Sequence, residues 1–183
     1  MNIPNYLTLL RILLLPVLVV LFYLPNSWSD MACAIVFALA AFTDWLDGYL
    51  ARKWNQSTPF GAFLDPVADK LMVAIALVLL AERYGAWWFT LPAVVIICRE
   101  IVISALREWM AETGQRAKIA VSSMAKWKTF LQILGIGFLL GYTPDLNPFF
   151  IIVGYLSVYV ATILTLLTLI AYLLASFDTF KNI

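Results

Sequence analysis

Apolar segments of membrane-crossing length follow one another along almost the whole sequence. The chain has 183 residues, of which 63% are hydrophobic and 13% are charged. Soluble domains have about 45–50% apolar and about 25% charged residues, and a bilayer-crossing helix needs about 20 mainly apolar ones. The sequence therefore predicts an all-α integral membrane protein with a single domain over residues 1–183 and six transmembrane helices. The predicted helices are Leu7–Leu24, Met31–Leu50, Phe60–Ala81, Ala86–Leu106, Trp127–Tyr142 and Pro148–Ala175.

The positions of lysine and arginine predict the orientation of these helices. With six spans, the N-terminus, the loops at 52–59 and 107–126, and the C-terminus lie on one side. That side collects nearly all the cations, whereas the opposite side carries only Arg83. Cytoplasmic loops carry the excess of positive charge, so we expect this side to face the cytoplasm. No cleavage site follows the first segment and no transit peptide is present, which favours a retained helix in a bacterial inner (cytoplasmic) membrane.

The residue types that are missing or rare limit the possible chemistry. The sequence contains no histidine, which excludes His-Cys zinc sites, Ser-His-Asp triads and histidine nucleophiles. The two cysteines, Cys33 and Cys98, lie in apolar runs without the spacing of a metal or redox motif, so we expect free thiols. Any catalysis must therefore use carboxylates, metal ions, lysine and arginine.

Four aspartates lie where the second predicted helix ends and the third begins. Asp44 and Asp47 are three positions apart, and Asp65 and Asp69 are four apart, so each pair shares one helix face. A short antiparallel connection brings both pairs to a similar depth. Carboxylates in a membrane protein are costly without positive partners. Oxygen ligands suit hard cations such as Mg²⁺ and Mn²⁺, with Ca²⁺ as the alternative, and a pair of such ions can act at phosphorus. A structural charge cluster and a cation-transport site are the alternatives.

Two glycines and an arginine accompany the aspartates. Gly48 follows Asp47 directly, and Gly61 faces it from the next segment, where a backbone or ligand can approach closely. Glycines also serve merely to pack membrane helices against each other. Arg52 lies one turn beyond Gly48 and has a planar fork that suits phosphate, but it fits a simple cytoplasmic anchor equally well. Both interpretations stay open for each of these residues at this point.

The spacing of these residues resembles the motif of a known enzyme family. The stretch from Asp44 to Asp69 reads D-x2-D-G-x2-A-R-x8-G-x3-D-x3-D, which is similar to the complete motif of the CDP-alcohol phosphotransferases. All the specified positions agree, and the six-helix plan extends the resemblance to the whole chain. The resemblance implies a homodimeric membrane enzyme that transfers a CDP-linked phosphoryl group to an alcohol and releases CMP.

The resemblance also implies roles for individual residues. The four aspartates would hold two Mg²⁺ or Mn²⁺ ions, and Asp69 would also be the general base. A further set would bind the CDP part of the donor: Asn5, Thr8, Gly48, Arg52, Thr58 and Gly61. Asn5 and Thr8 match the family's N-terminal Pro-Asn-x-x-Thr element, although on their own they fit a helix cap equally well.

Cations in the fourth and fifth segments indicate an anionic acceptor. The run Lys126-Trp127-Lys128-Thr129 is similar to the Lys-x-Lys-Thr element of family members that attach sn-glycerol 3-phosphate to CDP-diacylglycerol. We therefore expect Arg99, Lys126 and Lys128 to bind the acceptor phosphate beside the metal ions. The alternative for Arg99, which lies within an apolar segment, is an ion pair with Glu100 or with an aspartate.

Other acceptors and other functions stay open on sequence alone. Inositol phosphate and phosphatidylglycerol are the alternative acceptors, whereas serine or choline would not call for so many cations. A divalent-cation transporter would place its carboxylates near mid-membrane on interrupted helices, and a prenyltransferase would need two separated acidic motifs. Membrane lipids are expected partners, with Arg107, Arg116 and Lys118 attracted to anionic headgroups, and no nucleic acid is expected.

Overall fold

The chain folds into six α-helices joined by short connections. The structure is a computed structural model that describes residues 3–54, 59–112 and 123–180. The helices are α1 (Ile3–Tyr23), α2 (Ser29–Trp54), α3 (Pro59–Tyr84), α4 (Trp87–Glu112), α5 (Ser123–Gly141) and α6 (Phe149–Phe180). No strand occurs in the described part of the chain, which confirms the predicted all-α class and its six helices.

Within the described residues, four of these helices are long and apolar enough to cross a bilayer. The qualifying ranges are Asn5–Tyr23, Ser29–Leu50, Trp87–Met110 and Phe149–Leu174. The apolar stretch of α5 is shorter, and α3 carries acidic and basic residues among its apolar ones. Length and composition therefore support four of the six predicted spans directly, and α3 and α5 pack beside those four.

The helices extend further than the apolar segments that predict them. α2 continues to Trp54, so Asp44 and Asp47 lie inside this helix, whereas the sequence pattern placed them at its end. α3 likewise begins at Pro59, more than one turn before Asp65. The physical reason is that hydropathy marks only the apolar part of a helix, while polar residues beyond it continue the same backbone hydrogen bonds.

The helices pack around a core of buried aliphatic and aromatic side chains. Phe37, Leu77 and Ile96, for example, are at most 1% exposed. Large apolar residues also cover the outside of the bundle, where Leu13 and Trp87 are 64% and 71% exposed. A helix bundle that is apolar both in its core and on its outer surface is typical of helices surrounded by lipid. Both cysteines are free thiols, as expected.

Two glycines let α5 and α6 approach each other closely. A Cβ atom on Gly135 would lie 2.9 Å from the carbonyl oxygen of Gly154 and 3.0 Å from the backbone nitrogen of Val158. A Cβ atom on Gly154 would lie 2.8 Å from the side chain of Leu139. Because contacts this short leave no space for a side chain, glycine sets the distance between the two helices.

A polar cluster at the end of the bundle opposite the aspartates ties four helices together. The guanidinium of Arg83 on α3 lies 2.5 Å from Oδ1 of Asp30 on α2, and it donates to the carbonyl oxygen of Leu140 on α5 at 2.8 Å. It also lies over the ring of Phe22 on α1, 4.5 Å from the ring centroid. This arginine therefore satisfies a carbonyl in the last turn of α5, where a helix lacks its own donors.

Gly135→Ala is expected to destabilise the protein, because the added methyl group meets backbone atoms of α6 that cannot move aside. Overpacking of this kind costs about 1–3 kcal/mol, which thermal unfolding in detergent would detect. Gly137→Ala is the matched control, since a Cβ atom at that position has nothing within 4 Å. Equal unfolding temperatures for the two variants would contradict this description of the α5–α6 contact.

Candidate active site

One face of α1 carries three buried polar side chains in a bundle that is otherwise largely apolar. Asn5, Thr8 and Arg11 follow one another at three-residue spacing, which places them on the same side of the helix. They are 4%, 1% and 0% exposed, respectively. A fully buried guanidinium is costly unless carboxylates surround it. The carboxylates that surround Arg11 come from α2 and α3.

The guanidinium of Arg11 lies among three of the four aspartates. Its Nη1 atom is 3.0 Å from Oδ1 of Asp44, and its Nη2 atom is 2.5 Å from Oδ2 of Asp47. Nη1 also contacts Oδ1 of Asp69. A single planar fork from α1 thus bridges the two helices that carry the acidic pairs.

The same face of α1 holds the fourth aspartate. The hydroxyl of Thr8 donates to Oδ1 of Asp65 at 2.5 Å. The structure therefore brings together all four aspartates of the motif, and α1 contacts each of them. Asn5 and Thr8 both lie after the start of α1 at Ile3, so neither residue is its N-cap, and that alternative is wrong.

The aspartates differ in how far they are exposed. The side chain of Asp47 is 4% exposed, whereas those of Asp44 and Asp69 are 41% and 45% exposed. Asp47 therefore forms the floor of the site, and the other two form its open side. A substrate that approaches from that side meets Asp44 and Asp69 first.

The residue types of the site suit divalent cations of the magnesium type. Carboxylate oxygens are the ligands that such hard ions prefer. Among the side chains that the structure describes, no three acidic groups are arranged around one point as metal ligands, and Arg11 lies between them. Four carboxylates against one guanidinium still leave an excess of negative charge. The donor set therefore fits such ions chemically, and its use as a ligand set stays a prediction.

The structure describes four of the six residues expected to bind the nucleotide: Asn5, Thr8, Gly48 and Gly61. Gly48 is half-buried on α2, and Gly61 is buried in the first turns of α3. The side chain of Arg52 and the whole of Thr58 lie outside the described residues. Nucleotide binding by this set stays a prediction.

A second charged cluster lies between α4, α5 and α6. Nη1 of Arg99 is 3.1 Å from Oε1 of Glu100, and Nη2 donates to the hydroxyl of Thr168 at 3.1 Å. The ammonium of Lys128 on α5 contacts the same oxygen of Glu100. Both cations are buried, and the ion pair between Arg99 and Glu100 that we considered as an alternative is present. The side chain of Lys126 lies outside the described residues.

Lys70 links the helices that carry the two clusters. It follows Asp69 on α3, and its ammonium donates to the hydroxyl of Ser104 on α4. Ser104 lies one turn beyond Glu100 on the same helix. In the described part of the chain, the ion pairs of Arg99 and Lys128 do not include an aspartate. The two clusters are therefore separate in their contacts, although neighbouring helices carry them.

The sequence pattern did not reveal the role of Arg11. The signal was present, because Arg11 follows Thr8 at the same spacing at which Thr8 follows Asn5, and a cation on that face must meet the carboxylates. The shared role of Glu100 was also missed, since Lys128 is 28 positions away in the sequence and only the fold brings the two together.

Comparison with known protein families gives a match over nearly the whole chain. The family model described as CDP-alcohol phosphatidyltransferase matches residues 1–176. This match, together with the apolar helices and the acidic site between α1, α2 and α3, assigns the protein to the membrane-bound transferases. The chain belongs to the CDP-alcohol phosphatidyltransferase family, which confirms the family predicted from the aspartate motif.

Curated relatives cover this chain almost from end to end. A protein of Sodalis glossinidius is 53% identical over 183 residues, which is 100% of this chain and 99% of the relative. Proteins of Salmonella choleraesuis and Shigella flexneri serotype 5b are 54% identical over 175 residues, which is 96% of this chain and 94% of each relative. All three relatives are named CDP-diacylglycerol–glycerol-3-phosphate 3-phosphatidyltransferase.

Arg11→Ala is expected to lower stability strongly in EDTA, because it leaves the buried carboxylate of Asp47 without its cation. Removal of one partner from a buried ion pair costs about 3–5 kcal/mol, and thermal unfolding in detergent measures the loss. Arg107→Ala is the control, since Arg107 is exposed and donates to the hydroxyl of Tyr172 at the surface. If both variants unfold at the same temperature, Arg11 does not hold the aspartates together.

Proposed function

We propose that this protein transfers the phosphatidyl group of CDP-diacylglycerol to sn-glycerol 3-phosphate. The products are phosphatidylglycerophosphate and CMP, so the activity is that of a phosphatidylglycerophosphate synthase. The observation that carries the proposal is 53–54% identity, over 96–100% of the chain, to relatives named for this reaction. The acidic cluster supports the proposed donor, and the basic cluster supports the proposed acceptor.

The acidic cluster is the donor site in this proposal. The residues that would hold two Mg²⁺ or Mn²⁺ ions are Asp44, Asp47, Asp65 and Asp69. Such ions, when bound, would supply positive charge that neutralises the pyrophosphate and stabilises CMP as the leaving group. Thr8 and Arg11 orient the carboxylates through their bonds to Asp65 and Asp47. The nucleotide lies against the set predicted from the motif: Asn5, Thr8, Gly48, Arg52, Thr58 and Gly61.

Asp69 acts as the general base. It takes the proton from a primary hydroxyl of the acceptor, and the oxygen of that hydroxyl forms a bond to the phosphorus that bears diacylglycerol. The bond between this phosphorus and the oxygen of CMP breaks, and CMP leaves with the electron pair. The 45% exposure of the Asp69 side chain supports this role, because an acceptor from solvent can reach it.

The basic cluster is the site of the acceptor phosphate. Arg99 and Lys128 together carry more positive charge than Glu100 neutralises, which suits an anion. Glu100 acts as a positioning residue, since it holds both cations in one place. We include Lys126 in this site because it belongs to the same Lys-x-Lys-Thr element.

The membrane gives each substrate its own route to the site. The distribution of lysine and arginine supports a site that faces the cytoplasm from the inner membrane of a bacterium. The lipid donor then stays in the leaflet while the soluble acceptor arrives from the cytoplasm. The whole chain, residues 1–183, acts as one catalytic domain, and two copies form a homodimer.

A divalent-cation transporter is the less favoured alternative. Transporters bind ions near mid-membrane, where helices are interrupted and backbone carbonyls become free. α2 and α3 are each one continuous helix through their aspartates, although Pro66, between Asp65 and Asp69 on α3, has no backbone N–H to donate. Apart from the carbonyl one turn before Pro66, the backbone carbonyls near the aspartates lie within regular helix, whereas an ion-transport site uses several free ones, which favours carboxylate chemistry over ion passage.

CMP release by the purified enzyme tests the proposed reaction. With CDP-diacylglycerol and Mg²⁺ or Mn²⁺, release is expected with sn-glycerol 3-phosphate and not with inositol phosphate, phosphatidylglycerol or serine. Asp69→Asn should lower the rate by about 10²–10⁴-fold, the usual contribution of a general base. Asp145→Asn is the control, since that aspartate is exposed in the α5–α6 connection. Release with a different acceptor, or an active Asp69→Asn variant, would contradict the proposal.

Lys128→Met tests the acceptor site separately from the donor site. Loss of a charge-assisted bond to phosphate should raise KM for sn-glycerol 3-phosphate by about tenfold or more. KM for CDP-diacylglycerol serves as the internal control and should change little, because the ion pair of Lys128 is with Glu100. An equal rise in both KM values would show that the substitution disturbs the whole bundle instead.

A further inference from the structure

Three buried polar atoms near the basic cluster have no hydrogen-bond partner among the described residues. They are Nε of Arg99, Oε1 of Gln132 and Oγ1 of Thr165. The three residues are 6%, 3% and 0% exposed, so they lie away from bulk solvent. A buried polar group that lacks a partner costs about 1–3 kcal/mol. Three such atoms in one region therefore indicate a place where a ligand binds.

The register of α5 against α6 places Thr165 beside Lys128. The two antiparallel helices meet where Gly135 lies against Val158. Seven residues are nearly two helical turns, so one heptad along each helix from this contact returns to the same face. On the side toward the basic cluster, that step leads to Lys128 on α5 and to Thr165 on α6.

The same register directs Gln132 toward α6, one turn deeper in the bundle than Lys128. Leu139 lies against Gly154, and one heptad from this contact leads to Gln132 on α5 and to Ala161 on α6. Ala161 is fully buried and has a small side chain. The amide of Gln132 therefore lies opposite a small residue and just below the basic cluster.

Thr165 differs from the neighbouring buried threonines of α6. Thr162 donates to the carbonyl oxygen of Val158 at 2.8 Å, and Thr168 donates to the carbonyl oxygen of Thr165 at 2.9 Å. Both hydroxyls are satisfied within their own helix, as is common for threonine in helices. The hydroxyl of Thr165 makes no such bond among the described contacts, and it can therefore bond to a ligand.

Together, the three atoms define the chemistry of the ligand. Nε of Arg99 is a donor, and a phosphate oxygen is the acceptor that suits it. Oε1 of Gln132 is an acceptor and needs a donor, which a hydroxyl supplies and a fully ionised phosphate does not. The hydroxyl of Thr165 can act in either way. A polyol phosphate, which carries both an ionised phosphate and free hydroxyls, satisfies all three.

We propose that Gln132 and Thr165 form a subsite for the non-reacting hydroxyl of the acceptor and make the enzyme specific for a polyol phosphate. The inference rests on the proposed function, because it takes the acceptor phosphate to lie at Arg99 and Lys128. With the phosphate there and the primary hydroxyl at Asp69, the secondary hydroxyl of sn-glycerol 3-phosphate is the group that bonds to Gln132.

The test compares sn-glycerol 3-phosphate with 3-hydroxypropyl phosphate, which keeps the phosphate and the primary hydroxyl but lacks the secondary hydroxyl. CMP release from CDP-diacylglycerol by the full-length purified enzyme gives kcat/KM for each acceptor. Wild type should prefer sn-glycerol 3-phosphate by about tenfold or more, the effect of one buried hydrogen bond. Gln132→Leu should abolish most of this preference, and Thr165→Val should reduce it severalfold.

Two variants of α6 serve as controls. Thr162→Val should keep the wild-type preference, since that hydroxyl is already bonded within the helix. Thr165→Ser should keep it as well, because it retains the hydroxyl. If Gln132→Leu does not fold, the acceptor preference of Thr165→Val tests the subsite instead, because valine has nearly the shape of threonine.

These measurements distinguish failure of the proposed hydroxyl subsite from failure of the proposed function. A preference that is the same in wild type, Gln132→Leu and Thr165→Val overturns the inference, even where all rates fall together. A wild-type enzyme that does not prefer sn-glycerol 3-phosphate over its deoxy analogue also overturns it. A wild-type enzyme that releases no CMP with sn-glycerol 3-phosphate overturns the proposed function itself, before any variant is compared.

Discussion

The burial of Arg11 is the constraint on which the acidic site depends. A fully buried guanidinium needs carboxylates, and carboxylates within an apolar bundle need a cation. Arg11 and the aspartates therefore require each other, and their ion pairs fix α1 against α2 and α3. Thr8 adds Asp65 to the same arrangement. The geometry of the site is thus set by a helix that supplies none of its carboxylates.

Charge balance relates the two clusters to each other. Within the described residues, the four aspartates of the acidic cluster outnumber its one guanidinium and leave an excess of negative charge, whereas two cations around Glu100 leave an excess of positive charge. Divalent cations complement the first cluster, and a phosphate complements the second. The bond from Lys70 to Ser104 joins the helices that carry them. Net negative charge in the acidic cluster and net positive charge in the basic cluster suit a reaction between a donor that binds divalent cations and an acceptor that is an anion.

The sequence predicts the helices and the convergence of the aspartates, because apolar length and helical spacing are local properties. It does not predict that α2 continues to Trp54, since the polar end of a helix has no hydropathy signal. Local spacing also does not show which buried partner a charge meets. Arg11 contacts Asp69, and Lys128 contacts Glu100, only because the fold packs together helices that are far apart in the sequence. The position of Gln132 could not be predicted either, because its neighbours in the sequence are apolar and do not indicate that it lies near the basic cluster.

Binding of Mn²⁺ tests whether the aspartates held by α1 form the metal site of the transferase. Electron paramagnetic resonance of the purified enzyme counts bound Mn²⁺ ions during a titration. We expect two ions per chain for the wild type, and fewer and weaker sites for Asp47→Asn and Asp65→Asn. Asp30→Asn should bind as the wild type does, since Asp30 pairs with Arg83 at the opposite end of the bundle. A wild type that binds no Mn²⁺, or aspartate variants that bind it unchanged, would show that these aspartates are not the metal site.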